Sequence, residues 1–254
     1  LQAVNAGSVE LDRENPAMCV EQRVTIRSLK DAASGPEQRV DLALQGPLAM
    51  DITIRCLTPE GARQLLRLRR GEFMEGAAGR IPVLISRTGY TGEDQGLEFY
   101  VHPDQATALW SLLMERGADL GIRPCGLGAR DSTRTEAGLP LYGHELAGEH
   151  DINPIEAGYG AFVKLHKPFF VGRSAMVLAA TNRRREIVRF QMKEKGIRAV
   201  RGGFPVVSAR GEYAGVVTSC TLVEGVQTGL ALVQSAYAQE GTLLAIFPMP
   251  REGK

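Results

Sequence analysis

Glycine and proline set the grain of this chain. Twenty-nine glycines and thirteen prolines are spread through 254 residues, and few periodic segments run long enough between them to build a helical bundle. Such punctuation divides the sequence into short elements and favours a mixed α and β protein. The length allows one or two domains with a sizeable core. No apolar run approaches the roughly 18 residues of a membrane helix. Thirty basic against twenty-nine acidic residues leave a net charge of +1, so nothing in the charge balance points to nucleic acid. Cys19, Cys56, Cys125 and Cys220 lie far apart, with no CxxC and no nearby histidine. That argues against zinc and for reduced, mostly buried thiols in a reducing compartment. The chain opens on Leu1, in what reads as the second half of a strand, and closes on a charged stretch. Both ends read as cut from a longer protein.

Local signals place the elements. Thr58 as N-cap, Pro59 at the first helical position and Glu60 in the first turn start a helix whose Ala62, Leu65 and Leu66 face inward. Ile81 to Ser86 and Leu97 to Val101 read as strands, the second burying Leu97, Phe99 and Val101 and turning Glu98 and Tyr100 to the other face. Asp104 reads as the cap of a helix carrying Ala106, Leu109, Trp110 and Leu113. Another helix is expected between Pro124 and Gly138, and a strand over Ala157 to Leu165. After Arg183-Arg-Arg185 come five short strand signals separated by Gly, Ser and Glu, the pattern of a small β-barrel or sandwich. The expected division is therefore 1–182 and 183–254.

Few residues are placed to do chemistry. Leu127, Arg130, Asp131 and Arg134 line one side of the Pro124–Gly138 helix. Asp131 can serve Arg134 at i+3, which leaves Arg130 in want of an anionic or carbonyl partner, or of a place in a structural ion-pair cluster. Glu98 suits a ligand edge with two adjacent N–H donors, or is simply a wet surface residue. The glycine-rich stretch Arg87 to Gly96 has no Gly-Lys-Ser/Thr, so it is not a Walker loop. Gly126-Leu-Gly128 is followed by Asp131 where a dinucleotide fingerprint needs a small residue, and a carboxylate there would repel pyrophosphate. Cys125 near a helix start reads as a buried thiol with no partner base, and His144 and His150 as non-ligands, so no metal is expected.

Four motifs carry a resemblance: Arg87-Thr-Gly-Tyr-Thr-Gly-Glu93, Gly126-Leu-Gly-Ala-Arg-Asp-Ser132, Glu136-Ala-Gly-Leu-Pro-Leu-Tyr-Gly143 and Asn153-Pro-Ile-Glu-Ala-Gly158. Val4-Asn5-Ala6, Gln45-Gly-Pro47, Phe169-Phe-Val-Gly-Arg173 and Gly215-Val-Val-Thr-Ser219 support it in the same order. The series resembles the T-protein of the glycine cleavage system and the wider family of folate-dependent one-carbon transferases. The resemblance implies two antiparallel α+β parts and a C-terminal β-barrel around a folate channel. It also implies transfer of an aminomethyl carbon from the lipoyl arm of the H-protein to tetrahydrofolate, with release of ammonia, in the cytoplasm or the mitochondrial matrix. Carried over by motif, Tyr90, Glu98 and Arg130 line the folate site, Glu98 taking the pterin edge, and Asn5 lies near the reacting end.

Two departures stand out. Tyr90 and Glu98 are one step further apart than in the family, through Gln95. The family's catalytic aspartate lies upstream of Val-Asn-Ala and so outside this chain, from which a poor catalyst is expected. Within the wider family the alternatives are a demethylase or the folate domain of a dimethylglycine or sarcosine dehydrogenase. The non-catalytic folate-binding relatives carry Lys-Gly-Cys-Tyr-x-Gly-Gln where this chain has Arg87-Thr-Gly-Tyr-Thr-Gly-Glu93.

Overall fold

The computed structural model describes residues 28–146 and 148–249. Asn5, Cys19 and the strand expected at Leu1 lie outside them. The chain divides into two compact units, one running to Gly89 and resuming over Gln95–Ile122, the other made of Tyr90–Asp94 and the residues from Arg123 onward.

The first unit is a four-stranded antiparallel sheet of order β1-β4-β3-β2, built from β1 (Val40–Gln45), β2 (Phe73–Ala78), β3 (Ile81–Ser86) and β4 (Gly96–Val101). Leu97, Phe99 and Val101 are fully buried, as the alternation requires, and Leu44 and Ile85 sit opposite Leu97 and Phe99 on the same face. Ile52 of α1 (Ala49–Ile54), Leu65 of α2 (Pro59–Arg67), and Leu109 and Leu113 of α3 (Pro103–Arg116) pack into this core. Thr58 does cap α2, its hydroxyl accepting from the Gly61 N–H at 3.2 Å. Leu65 is buried, but Leu66 points to solvent, because the inward stripe is one residue wide at that turn. The cap of α3 is His102 and not Asp104: its imidazole accepts from the Asp104 N–H, and Pro103 opens the helix. Asp104 sits in the first turn, where its charge favours the helix dipole.

The second unit holds a five-stranded antiparallel sheet of order β5-β8-β7-β6-β9: β5 (Arg185–Gln191), β6 (Pro205–Ser208), β7 (Tyr213–Val223), β8 (Val226–Gln234) and β9 (Leu244–Ile246). All five expected strands are present. Leu230 to Val233 of β8 are buried without alternation because both faces are covered. Ala231 and Val233 pack with Phe204 and Val217, and Leu232 packs with Ile152 and Ala157. Helices α4 (Leu127–Glu136) and α5 (Arg173–Thr181) complete the unit. The strand expected over Ala157 to Leu165 is absent. Gly158 takes a left-handed φ of 83°, and a 3-10 turn follows at Gly160–Phe162.

A bulge in β7 matters for the site. Val217 pairs with Ala231 but Ser219 pairs with Leu230, so one extra residue enters the strand. That residue shifts the alternation, and Ser219 leaves the face of Val217 for the opposite one.

Candidate functional site

In the first unit the site residue is Glu98. Its strand hides Leu97, Phe99 and Val101, and Glu98 stands half-exposed on the other face, opposite Ala43 of β1 and Ser86 of β3. The Tyr100 hydroxyl donates to its Oε2 at 3.1 Å and leaves further acceptor positions on the carboxylate. Burial, and then the Glu98 charge, raise the Tyr100 phenol above its ordinary pKa. The neighbouring glycines have a steric purpose. A Cβ on Gly89 or Gly96 would overlap the Gln45 side chain, whose Nε2 donates to the carbonyls of Thr88 and Leu97. Gln45 thereby ties both ends of the glycine-rich loop to β1 and fixes where β4 begins.

The middle of that loop belongs to the second unit. The Tyr90 hydroxyl donates to the Pro140 carbonyl and shares a hydrogen bond of 2.8 Å with the Tyr159 hydroxyl. Burial and then the Tyr159 hydrogen bond raise its pKa well beyond the ordinary phenol range. Gly92, at φ 87°, passes so close to Ala137 that any Cβ would collide with it.

Helix α4 is wet at its start and buried at its end. Cys125, Leu127 and Arg130 are exposed, so Cys125 is not the buried thiol expected. The Arg130 guanidinium has no hydrogen bond or ion pair among the described residues. One turn later Arg134 is fully buried. Its Nε donates to Asp131 at 2.8 Å, its Nη1 to Glu145 at 3.0 Å and its Nη2 to the Ser219 hydroxyl at 2.8 Å. Glu145, also fully buried, accepts in addition from the Leu141 N–H and the Ser219 hydroxyl. The Asp131–Arg134 pair follows from their spacing. Glu145 and Ser219 do not, because one comes from a loop and the other is turned inward by the bulge. At the end of α4, Arg189 of β5 donates to the carbonyls of Glu136 and Ala137 and fills the space beside Gly138. The Asn153 motif is scaffolding: Asn153 Oδ1 accepts from the N–H groups of Ile155 and Glu156, and Glu156 pairs with Arg185.

The structure thus keeps Tyr90 and Arg130 in one unit and Glu98 in the other.

Comparison with known proteins fits these motifs. The model of the GCVT N-terminal domain matches residues 12–167, more than half of the chain. An aminomethyltransferase of Alkaliphilus metalliredigens (strain QYMF) is 40% identical over 260 residues, covering 99% of this chain and 65% of the relative. One of Alkaliphilus oremlandii (strain OhILAs) is 42% identical over 230 residues, covering 88% of this chain and 57% of the relative. The crystal structure of glycine cleavage system aminomethyltransferase T from Bartonella henselae superposes with a TM-score of 0.68 at 30% identity, covering 82% of this chain and 55% of that one. The chain spans less than two thirds of the length of these relatives. By its motifs, its fold and these matches, it belongs to the GCVT family of aminomethyltransferase T proteins.

Proposed function

We propose that the protein this chain represents is a tetrahydrofolate-dependent aminomethyltransferase. In this reading it takes a one-carbon unit from the aminomethyl-lipoyl arm of an H-protein and passes it to tetrahydrofolate as ammonia leaves. The observation that carries the reading is the 40% identity to an aminomethyltransferase across 99% of the chain. The residues fit the substrate. By resemblance, Glu98 offers its remaining acceptor positions to the N–H edge of a pterin, and the Arg130 fork, without a partner among the described residues, suits carbonyl and carboxylate groups such as those of folate. Tyr90 has its hydroxyl committed to Pro140 and Tyr159, so its ring contributes by packing. Asn5 is assigned to the reacting end by motif alone.

The chemistry asks the protein to hold the folate amines near the aminomethyl carbon and to stabilise the cationic iminium on the way, as the carbon–sulfur bond breaks to leave a lipoyl thiol and the carbon–nitrogen bond breaks to release ammonia. By resemblance, the carboxylate that does so is the family aspartate. The same reading makes 1–182 the folate-binding region and 183–254 the C-terminal domain, with its five-stranded sheet curling as a barrel. It places the protein in the cytoplasm.

The test is calorimetric titration of the chain with tetrahydrofolate. One saturable site is expected, weakened by about 1–3 kcal/mol in Glu98→Ala, the scale of a charge-assisted hydrogen bond. Absence of saturable heat would end the folate reading. Unchanged affinity in a folded Glu98→Ala variant would remove that residue from the site.

A further inference from the structure

Arg130 stands on a helix that is held at one end only. The first residues of α4 are exposed, Gly126 offers no side chain to cap it, and no acidic residue lies in its first turn. Its second half is anchored by Arg134, which reaches Asp131, Glu145 and Ser219 at once, and by Arg189 at its last carbonyls. Arg130 lies one turn, about 6 Å along the axis, from that anchor. A tilt of ~10° at the anchor would move the Arg130 backbone by about 1 Å, and far more at the guanidinium. Nothing else among the described residues holds the Arg130 side chain.

We infer that the buried Arg134–Glu145–Ser219 network is the positioning device for Arg130, setting the direction in which its guanidinium meets a carbonyl or carboxylate ligand. The inference rests on the folate reading of Arg130 and extends it to residues that touch no substrate. Ser219 is the sensitive member. It accepts from Arg134 and donates to Glu145, so it fixes the angle between the two charges without carrying one. The β7 bulge is what delivers its hydroxyl to that side of the sheet.

A double-mutant cycle tests this, with tetrahydrofolate as the titrant and the full chain as the protein. Ser219→Ala is expected to weaken tetrahydrofolate about five- to tenfold when Arg130 is present, and less than twofold in an Arg130→Ala background, because misdirection no longer has a target. Ser219→Thr, which keeps the hydroxyl, restores most of the affinity. A purely structural role would give the same fold-loss in both backgrounds, and that outcome overturns the inference, as does unchanged affinity in Ser219→Ala. If Ser219→Ala does not fold, Glu145→Gln takes its place in the cycle with the same expected coupling. Failure of the unaltered chain to bind tetrahydrofolate overturns the folate reading and the inference with it. Binding without coupling overturns the inference alone.

Discussion

A guanidinium has five N–H donors and no acceptor, so it can be buried only where oxygen atoms converge on it. Arg134 has found three side chains to supply them, and Arg130, one turn away, has none among the described residues. The two should therefore respond oppositely to truncation. Glu145→Ala would leave Arg134 buried with its charge poorly compensated and is expected to cost about 3–5 kcal/mol in urea denaturation. Arg130→Ala should stay within about 0.5 kcal/mol of the parent. Equal losses would mean that Arg130 is structural after all. Cys220 gives a pH signature. Burial pushes its thiol from 9.0 up to about 11, and burial raises Cys56 as well. Below pH 9 both folded and unfolded chains keep the Cys220 proton. Above it the unfolded chain loses that proton first, so stability falls as pH rises towards 11. Cys220→Ala should remove roughly 1–2 kcal/mol of that alkaline loss, read as the difference between denaturation at pH 8 and at pH 10.5.

Among the elements, those with a two-residue period or a clear cap were readable in advance, and those without were not. β3, β4 and all five C-terminal strands alternate, or run apolar between glycines, and α2 announces itself through Thr58 and Pro59. β2 hides because Gly76 and Ala77 blur its pattern. The stretch from Ala157 reads as a strand by apolar content, but its glycines turn it into a 3-10 loop. α5 has Gly172 at its N-cap, in left-handed conformation with no side-chain hydrogen bond to offer, and has no fully buried residue. Ser219 was beyond reach for a related reason, since a bulge breaks the alternation on which its orientation would have been read. The exposure of α5 has a measurable consequence. Its amides should exchange with deuterium well ahead of those in β8, because helices without a buried face lie at the low end of local stability. Comparable protection in α5 and β8 would contradict this. Gly96→Ala should cost about 1–3 kcal/mol in thermal denaturation, since the new methyl meets Gln45 and the Thr88 carbonyl.

For the molecule as a whole, sequence order and spatial order part company at Tyr90–Asp94, which lies between two strands of one unit and belongs to the other. The chain therefore passes between units three times. Damage to the core of the second unit should loosen this segment while sparing β3 and β4 on either side of it. Leu230→Ala, at a cost of about 2–5 kcal/mol, is expected to speed amide exchange at 90–94 more than at 81–86. Equal effects would show that the segment follows its sequence neighbours instead. The same arrangement imposes an order on synthesis. When Tyr90 leaves the ribosome, its acceptor at Pro140 is 50 residues away and Tyr159 is 69 away. At 5–20 residues per second the wait for Tyr159 is about 3–14 s, in which β4 and α3 have emerged and can pair and pack. The nascent chain must carry Tyr90 to Asp94 as an open loop on a finished hairpin until the rest of the second unit is made.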